Sequence, residues 1–112
     1  DNWGGRIKPE DLKGLMRLRK PPKKTEPCLL LYCALTVLSN GDMTLCGCRD
    51  LNGELSVANI RDKTILEAWR SPRAKDIREG FYVSRYPDTC RECTSYMDLC
   101  CFREEKIKNL LK

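Results

Sequence analysis

The amino-acid sequence predicts a small α+β domain, a β-hairpin followed by helices. Three observations predict it. Residues 29–38 and 43–46 are mostly apolar and β-compatible, and between them lies Ser39-Asn40-Gly41-Asp42, a turn of the Asn-Gly type. Thr64 with Glu67, and then Ser71-Pro72, are helix-start signals. Eight cysteines in 112 residues fall into two groups, 28/33/46/48 and 90/93/100/101, separated by 41 residues with none. A site closed by thiols from both groups would pin the hairpin to the later part of the chain. Its binding free energy would add to a core that is modest at this length.

The elements follow in order. Pro9, Glu10 and Asp11, then Leu12, Leu15, Met16 and Leu18 at helical spacing, predict an amphipathic helix ending near Arg19. RKPPKKTEP, residues 19–27, reads as an extended connector. In the hairpin, Asn40 and Gly41 as central turn residues set Leu35 opposite Cys46 and Cys33 opposite Cys48, so that three cysteines share one face. Asn52-Gly53 is a polar turn before residues 55–60. A helix then starts at the Thr64/Glu67 capping box, with Trp69 as a core anchor, and a second restarts at Ser71-Pro72 with Ala74 and Ile77 inward. Residues 94–111, with Tyr96, Met97, Phe102, Ile107, Leu110 and Leu111, read as a final helix.

Composition narrows the chemistry. The chain has no histidine, which removes mixed cysteine-histidine zinc fingers, histidine-activated nucleophiles and a histidine general base. Asp42, Asp50 and Asp88 lie near cysteines in the sequence, and none merits a general-base role without a substrate pocket, so no catalytic residue is assigned. The formal charge of +5 is uneven: residues 1–27 hold eight basic and four acidic side chains, the other 85 residues 13 and 12. The surplus lies in the leading segment and reads as a solvated linker, which argues against a nucleic-acid surface. No apolar run approaches a membrane span. The start, DNWGGRIKPE, has neither an initiating Met nor a leader pattern and reads as the middle of something longer.

Cys90-Arg-Glu-Cys93 is a C-x2-C element able to grip one metal ion or two irons of one cluster. Cys28-x12-Gly41-x4-Cys46 adds one thiol at the entrance of the hairpin and one just past its turn. With NGDMTLC, ANIRDKTILEAWRSP and PDTCREC, this pattern resembles the auxiliary iron-sulfur domain of radical S-adenosylmethionine enzymes, the SPASM domain or its shorter twitch form. The resemblance runs from about Cys28 to Phe102, and DNWGG is similar to the strand end where such enzymes leave their catalytic barrel.

The resemblance implies a fold closed around a 4Fe-4S cluster held by Cys28, Cys46, Cys90 and Cys93, acting in electron transfer or substrate engagement. It divides the chain into residues 1–27, a helix and basic linker leading from a catalytic domain, and residues 28–112, the cluster-binding domain with its C-terminal helix. S-adenosylmethionine and its own cluster would belong to the barrel, whose C-x3-C-x2-C motif is absent from this sequence, so the chain should not be catalytic alone. The implied partners are that barrel and the parent enzyme's peptide or small-molecule substrate, without a membrane, in the cytoplasm. Arg49 and Arg91, next to ligand-bearing segments, could offset the site's negative charge.

The longer SPASM pattern, C-x2-C-x5-C-x3-C, is not met after Cys93, where six residues precede the adjacent Cys100 and Cys101. Cys33, Cys48, Cys100 and Cys101 therefore stay open as buried free cysteines, as a cross-strand disulfide in the case of Cys33 and Cys48, or as ligands of a second cluster. Two rivals stand beside this reading. A four-cysteine zinc module for protein or nucleic-acid interaction would use the same thiols. A secreted scaffold of four disulfides sits poorly with the long cysteine-free stretch and the adjacent Cys100-Cys101 pair.

Overall fold

The structure, a computed structural model, describes residues 1–99 and is α+β, with a three-stranded antiparallel sheet in the order β1-β2-β3 and short helices. The strands are β1 (Thr36–Val37), β2 (Asp42–Thr44) and β3 (Ser56–Asn59). The helices are α1 (Leu30–Cys33), α2 (Ile65–Trp69), α3 (Pro72–Gly80) and α4 (Asp88–Arg91). Cys100, Cys101 and the rest of the predicted final helix lie outside the described residues. Within them, residues 94–97 are not helical, and Asp98 bridges antiparallel to Cys28. No helix among the described residues is long and apolar enough to cross a membrane.

The hairpin forms with a different register from the one expected. Thr36 pairs with Thr44 and Val37 with Met43, one residue out of step. Gly41 N donates to Leu38 O at 2.9 Å and Leu38 N to Asp42 O at 2.8 Å, so the loop has three residues, Ser39, Asn40 and Gly41. Gly41 takes φ +90°, the left-handed residue that closes a type I turn of this length. A one-residue slip exchanges the faces of a strand.

The expected pairing of Cys33 with Cys48 also fails because the first arm is not a strand throughout. Leu29 N donates to Met97 O at 2.7 Å, and the chain then coils into α1, which sends Leu31 into the core and leaves Tyr32 and Cys33 exposed. The predicted helix after Pro9 is likewise cut to one 3-10 turn, Pro9–Leu12. Lys13 and Gly14 both adopt positive φ and end it, and Leu15 and Met16 are left 86% and 69% exposed.

The helix-start signals are realised. Thr64 Oγ1 accepts from Glu67 N at 3.3 Å and Glu67 Oε2 accepts from Thr64 N at 2.7 Å, while Ser71 Oγ caps α3 by accepting from Ala74 N at 3.1 Å. Ala74 and Ile77 are buried as expected, with Leu31, Leu45, Leu55 and Phe81 in one cluster, and Trp69 packs against it. Arg78 of α3 joins the helices: its guanidinium lies over the rings of Trp69 and Tyr32, at 4.4 and 5.2 Å, and donates to Leu31 O and Trp69 O at 2.8 and 2.9 Å.

Candidate metal centre

Three separate segments bring thiols to one place. Cys28 follows buried Pro27 and is fixed by its bridge to Asp98. Cys46 stands two residues beyond the end of β2, its N–H 3.4 Å from Thr44 Oγ1, after Leu45 has paired with Leu55 O at 3.3 Å. Gly47, next to it, lies against Thr36, whose Oγ1 would stand 2.3 Å from an added Cβ, so only glycine fits that approach. Cys90 lies in α4, and Cys93 leaves its end with its N–H donating to Cys90 O at 3.2 Å.

Cys28, Cys46, Cys90 and Cys93 all line a single pocket floored by Leu31 and Phe81. Cys28, Cys46 and Cys90 also pack against the hydrophobic core. Cys48 reaches the same pocket and is exposed, whereas Cys33 lies exposed on α1 and is not among the pocket's lining residues. All six cysteines among the described residues are free.

Burial sets the protonation of this group. Desolvation pushes the Cys90 thiol far up, and the neighbouring Cys46, Cys93, Cys28 and Glu54 add like-charge repulsion in the same direction. Desolvation also raises Cys28, with repulsion from Cys46 and Cys93, against partial relief from backbone hydrogen bonds. The Cys28 and Cys90 thiols therefore hold their protons, and a metal bound through them would release those protons. Both groups titrate above the ordinary thiol value of 9.0, so the folded, metal-free chain retains protons that the unfolded chain gives up as pH rises past it. Their stabilisation is complete below that value and lost above it. The melting temperature of metal-free protein is expected to fall between about pH 8 and pH 10. A flat or rising melting temperature over that interval would contradict the thiol burial.

The surrounding polar groups hold the ligand-bearing segments, and most were not recognisable as such from residue type. Glu54 accepts from Asp88 N at 2.7 Å and Thr89 N at 2.9 Å and so caps α4, the helix that carries Cys90. Burial alone would raise this carboxyl, but the Thr89 and Asp88 hydrogen bonds outweigh it and hold the group below its usual range. Asp50, 1% exposed, accepts from Glu54 N at 2.7 Å, from Leu55 N at 2.9 Å and from the Thr44 hydroxyl, tying the Asn52-Gly53 turn to β2 just ahead of Cys46. Tyr86 and Tyr96 hydroxyls donate to Lys24 O at 3.0 Å and Glu26 O at 2.8 Å, anchoring the approach to Cys28. The only signal for Asp50 was its place ahead of Asn52-Gly53, where an aspartate commonly bonds the backbone of its own turn. Glu54 gave none, because its partners are 34 and 35 residues away.

The N-terminal segment is docked on the same region. Asn2, buried, donates from its backbone to Thr94 Oγ1 at 3.1 Å and from its side chain to Glu92 O at 2.6 Å. Asp1 pairs with Arg49, and the Trp3 ring lies 4.7 Å from the Arg49 guanidinium.

The donor set can be tested against the group it might hold. A single zinc ion needs four sulfurs about 2.3 Å from one point. Among the described residues no three cysteine or carboxylate side chains draw together in that way, and the four cysteines instead line one pocket with an apolar floor. Among known families the chain matches the model for SPASM, an iron-sulfur cluster-binding domain, over residues 28–94, which takes in all four of these cysteines. No curated protein and no solved structure matches the chain.

Proposed function

Because the chain belongs to the SPASM family of iron-sulfur cluster-binding domains, we propose that it is an auxiliary 4Fe-4S domain in which Cys28, Cys46, Cys90 and Cys93 are the ligands. The observation that carries this reading is the convergence of those four thiols, from three segments of the chain, on one core-floored pocket. Four all-cysteine ligands suit a 4Fe-4S core, which supplies one-electron transfer when bound. The fold would close around the cluster because each ligand-bearing segment is separately tied down by Asp50, Glu54, Tyr86 or Tyr96.

In this reading the domain serves a radical S-adenosylmethionine barrel in the same parent chain, in electron transfer or in engaging a peptide or small-molecule substrate. One cluster is favoured over two: Cys33 is exposed on α1 outside the pocket, so a second set would have to be assembled elsewhere. Anaerobically prepared protein is expected to contain about four irons and about four sulfides per chain, with broad thiolate-to-iron absorption. About one zinc per chain with neither iron nor sulfide after anaerobic reconstitution would overturn the proposal in favour of the zinc module.

A further inference from the structure

Two cations line the pocket, Lys24 and Arg49, the second of which was expected from its place in the sequence to offset the site's charge. Each spans two of the segments that carry the thiols. Lys24 belongs to the approach to Cys28, yet its Nζ donates to Arg91 O at 3.0 Å, between Cys90 and Cys93, and lies 5.6 Å from the centre of the Tyr96 ring. Arg49 follows Cys46 and Cys48 in the chain, donates to Cys48 O at 2.7 Å, and reaches Ser95 Oγ at 2.9 Å, just beyond Cys93. Its side chain is only 16% exposed and pairs with the Asp1 carboxylate. Arg91, expected to help offset the site's charge, is exposed, pairs with Asp88 and does not line the pocket.

We propose that Lys24 and Arg49 form a cationic clamp that fastens the three ligand-bearing segments around the pocket and raises the reduction potential of the cluster held there. The inference rests on the cluster reading. Four thiolates around a dicationic core leave about two negative charges, and reduction by one electron adds a third. Positive charge at the rim stabilises the more negative form, so removing it should make the cluster harder to reduce. The two cations differ: the Arg49 charge is partly offset by Asp1, whereas Lys24 donates to a neutral carbonyl. The larger shift is therefore expected at Lys24.

The test is a redox titration of the anaerobically loaded 112-residue chain, followed by absorbance and electron paramagnetic resonance, with iron counted in parallel. Lys24→Gln and Arg49→Gln are expected to load with iron, to lose it faster to a chelator, and to titrate at more negative potential than wild type. Lys24→Arg and Arg49→Lys should recover most of the shift, and Lys75→Gln, which removes an exposed cation on α3, should cause none. Glutamine variants that titrate with the wild type, or charge-keeping variants that shift as far as the glutamines, overturn the clamp. If glutamine at one rim costs the cluster, the shift at the other rim decides by the same criterion. Wild-type protein without iron overturns the cluster reading itself, a result visible in the iron count before any potential is measured.

Discussion

Cys90→Ala is expected to abolish iron binding and, with it, the stability that the bound metal adds to the fold. Cys90 is held in α4, packs on the core and is the thiol whose proton burial retains most strongly. Without it one ligand of the proposed four is lost from a pocket that alanine cannot refill. Metal binding to a domain of this size is folding free energy, on the order of 10 kcal/mol for structural metal sites, against a total stability of about 5–15 kcal/mol. Losing even half of that term leaves little. The expected result is a drop from about four irons per chain to near zero, loss of the broad absorption, and a urea midpoint close to that of metal-free protein. Cys33→Ala is the contrasting variant: its side chain is exposed on α1, away from the pocket, so iron content should hold and stability should change by less than about 0.5 kcal/mol. A full iron complement in Cys90→Ala, or its loss in Cys33→Ala, would refute the ligand assignment.

How far residue order alone revealed this molecule depends on whether the deciding contacts were local. The capping box at Thr64, the Ser71 cap and the inward Ala74 and Ile77 were legible because each is settled within one or two helical turns. The positive φ at Gly41 was legible for the same reason, but loop length was not: a two-residue turn and a three-residue loop both accept Asn-Gly, and they differ by one step of register. Residues 29–33 form an apolar run too short for periodicity to separate strand from helix, and the arbiter is the distant Met97 carbonyl. At Lys13-Gly14 the glycine is a helix stop, and the apolar spacing of Leu12, Leu15 and Met16 runs across it without forming a face that anything buries. The pocket itself follows this rule: cysteine spacing suggested that the two groups meet, while Glu54 and Lys24, which link the segments that carry them, act across 34 and 67 residues.

Asp50→Ala should be the most damaging substitution away from the thiols. The carboxylate accepts from two backbone N–H groups, of Glu54 and Leu55, and from the Thr44 hydroxyl, in a setting 1% exposed. Alanine would leave these three donors without their acceptor. Each buried donor left unmet costs about 1–3 kcal/mol, so a loss of about 3 kcal/mol or more is expected. The position makes the loss reach the pocket. Glu54, whose backbone Asp50 holds, is the residue that caps α4 beneath Cys90, and Thr44 is the residue whose hydroxyl meets the Cys46 N–H. Asparagine fills the same volume but offers one acceptor oxygen where two are in use, so Asp50→Asn should fall between wild type and alanine. Urea unfolding of the anaerobically loaded chain, paired with the rate of iron loss to a chelator, measures both consequences: the order wild type, asparagine, alanine is expected in stability, and the reverse in rate of iron release. An alanine variant within about 0.5 kcal/mol of wild type would show that this buried carboxylate does not organise the loop between Cys46 and the Cys90 helix.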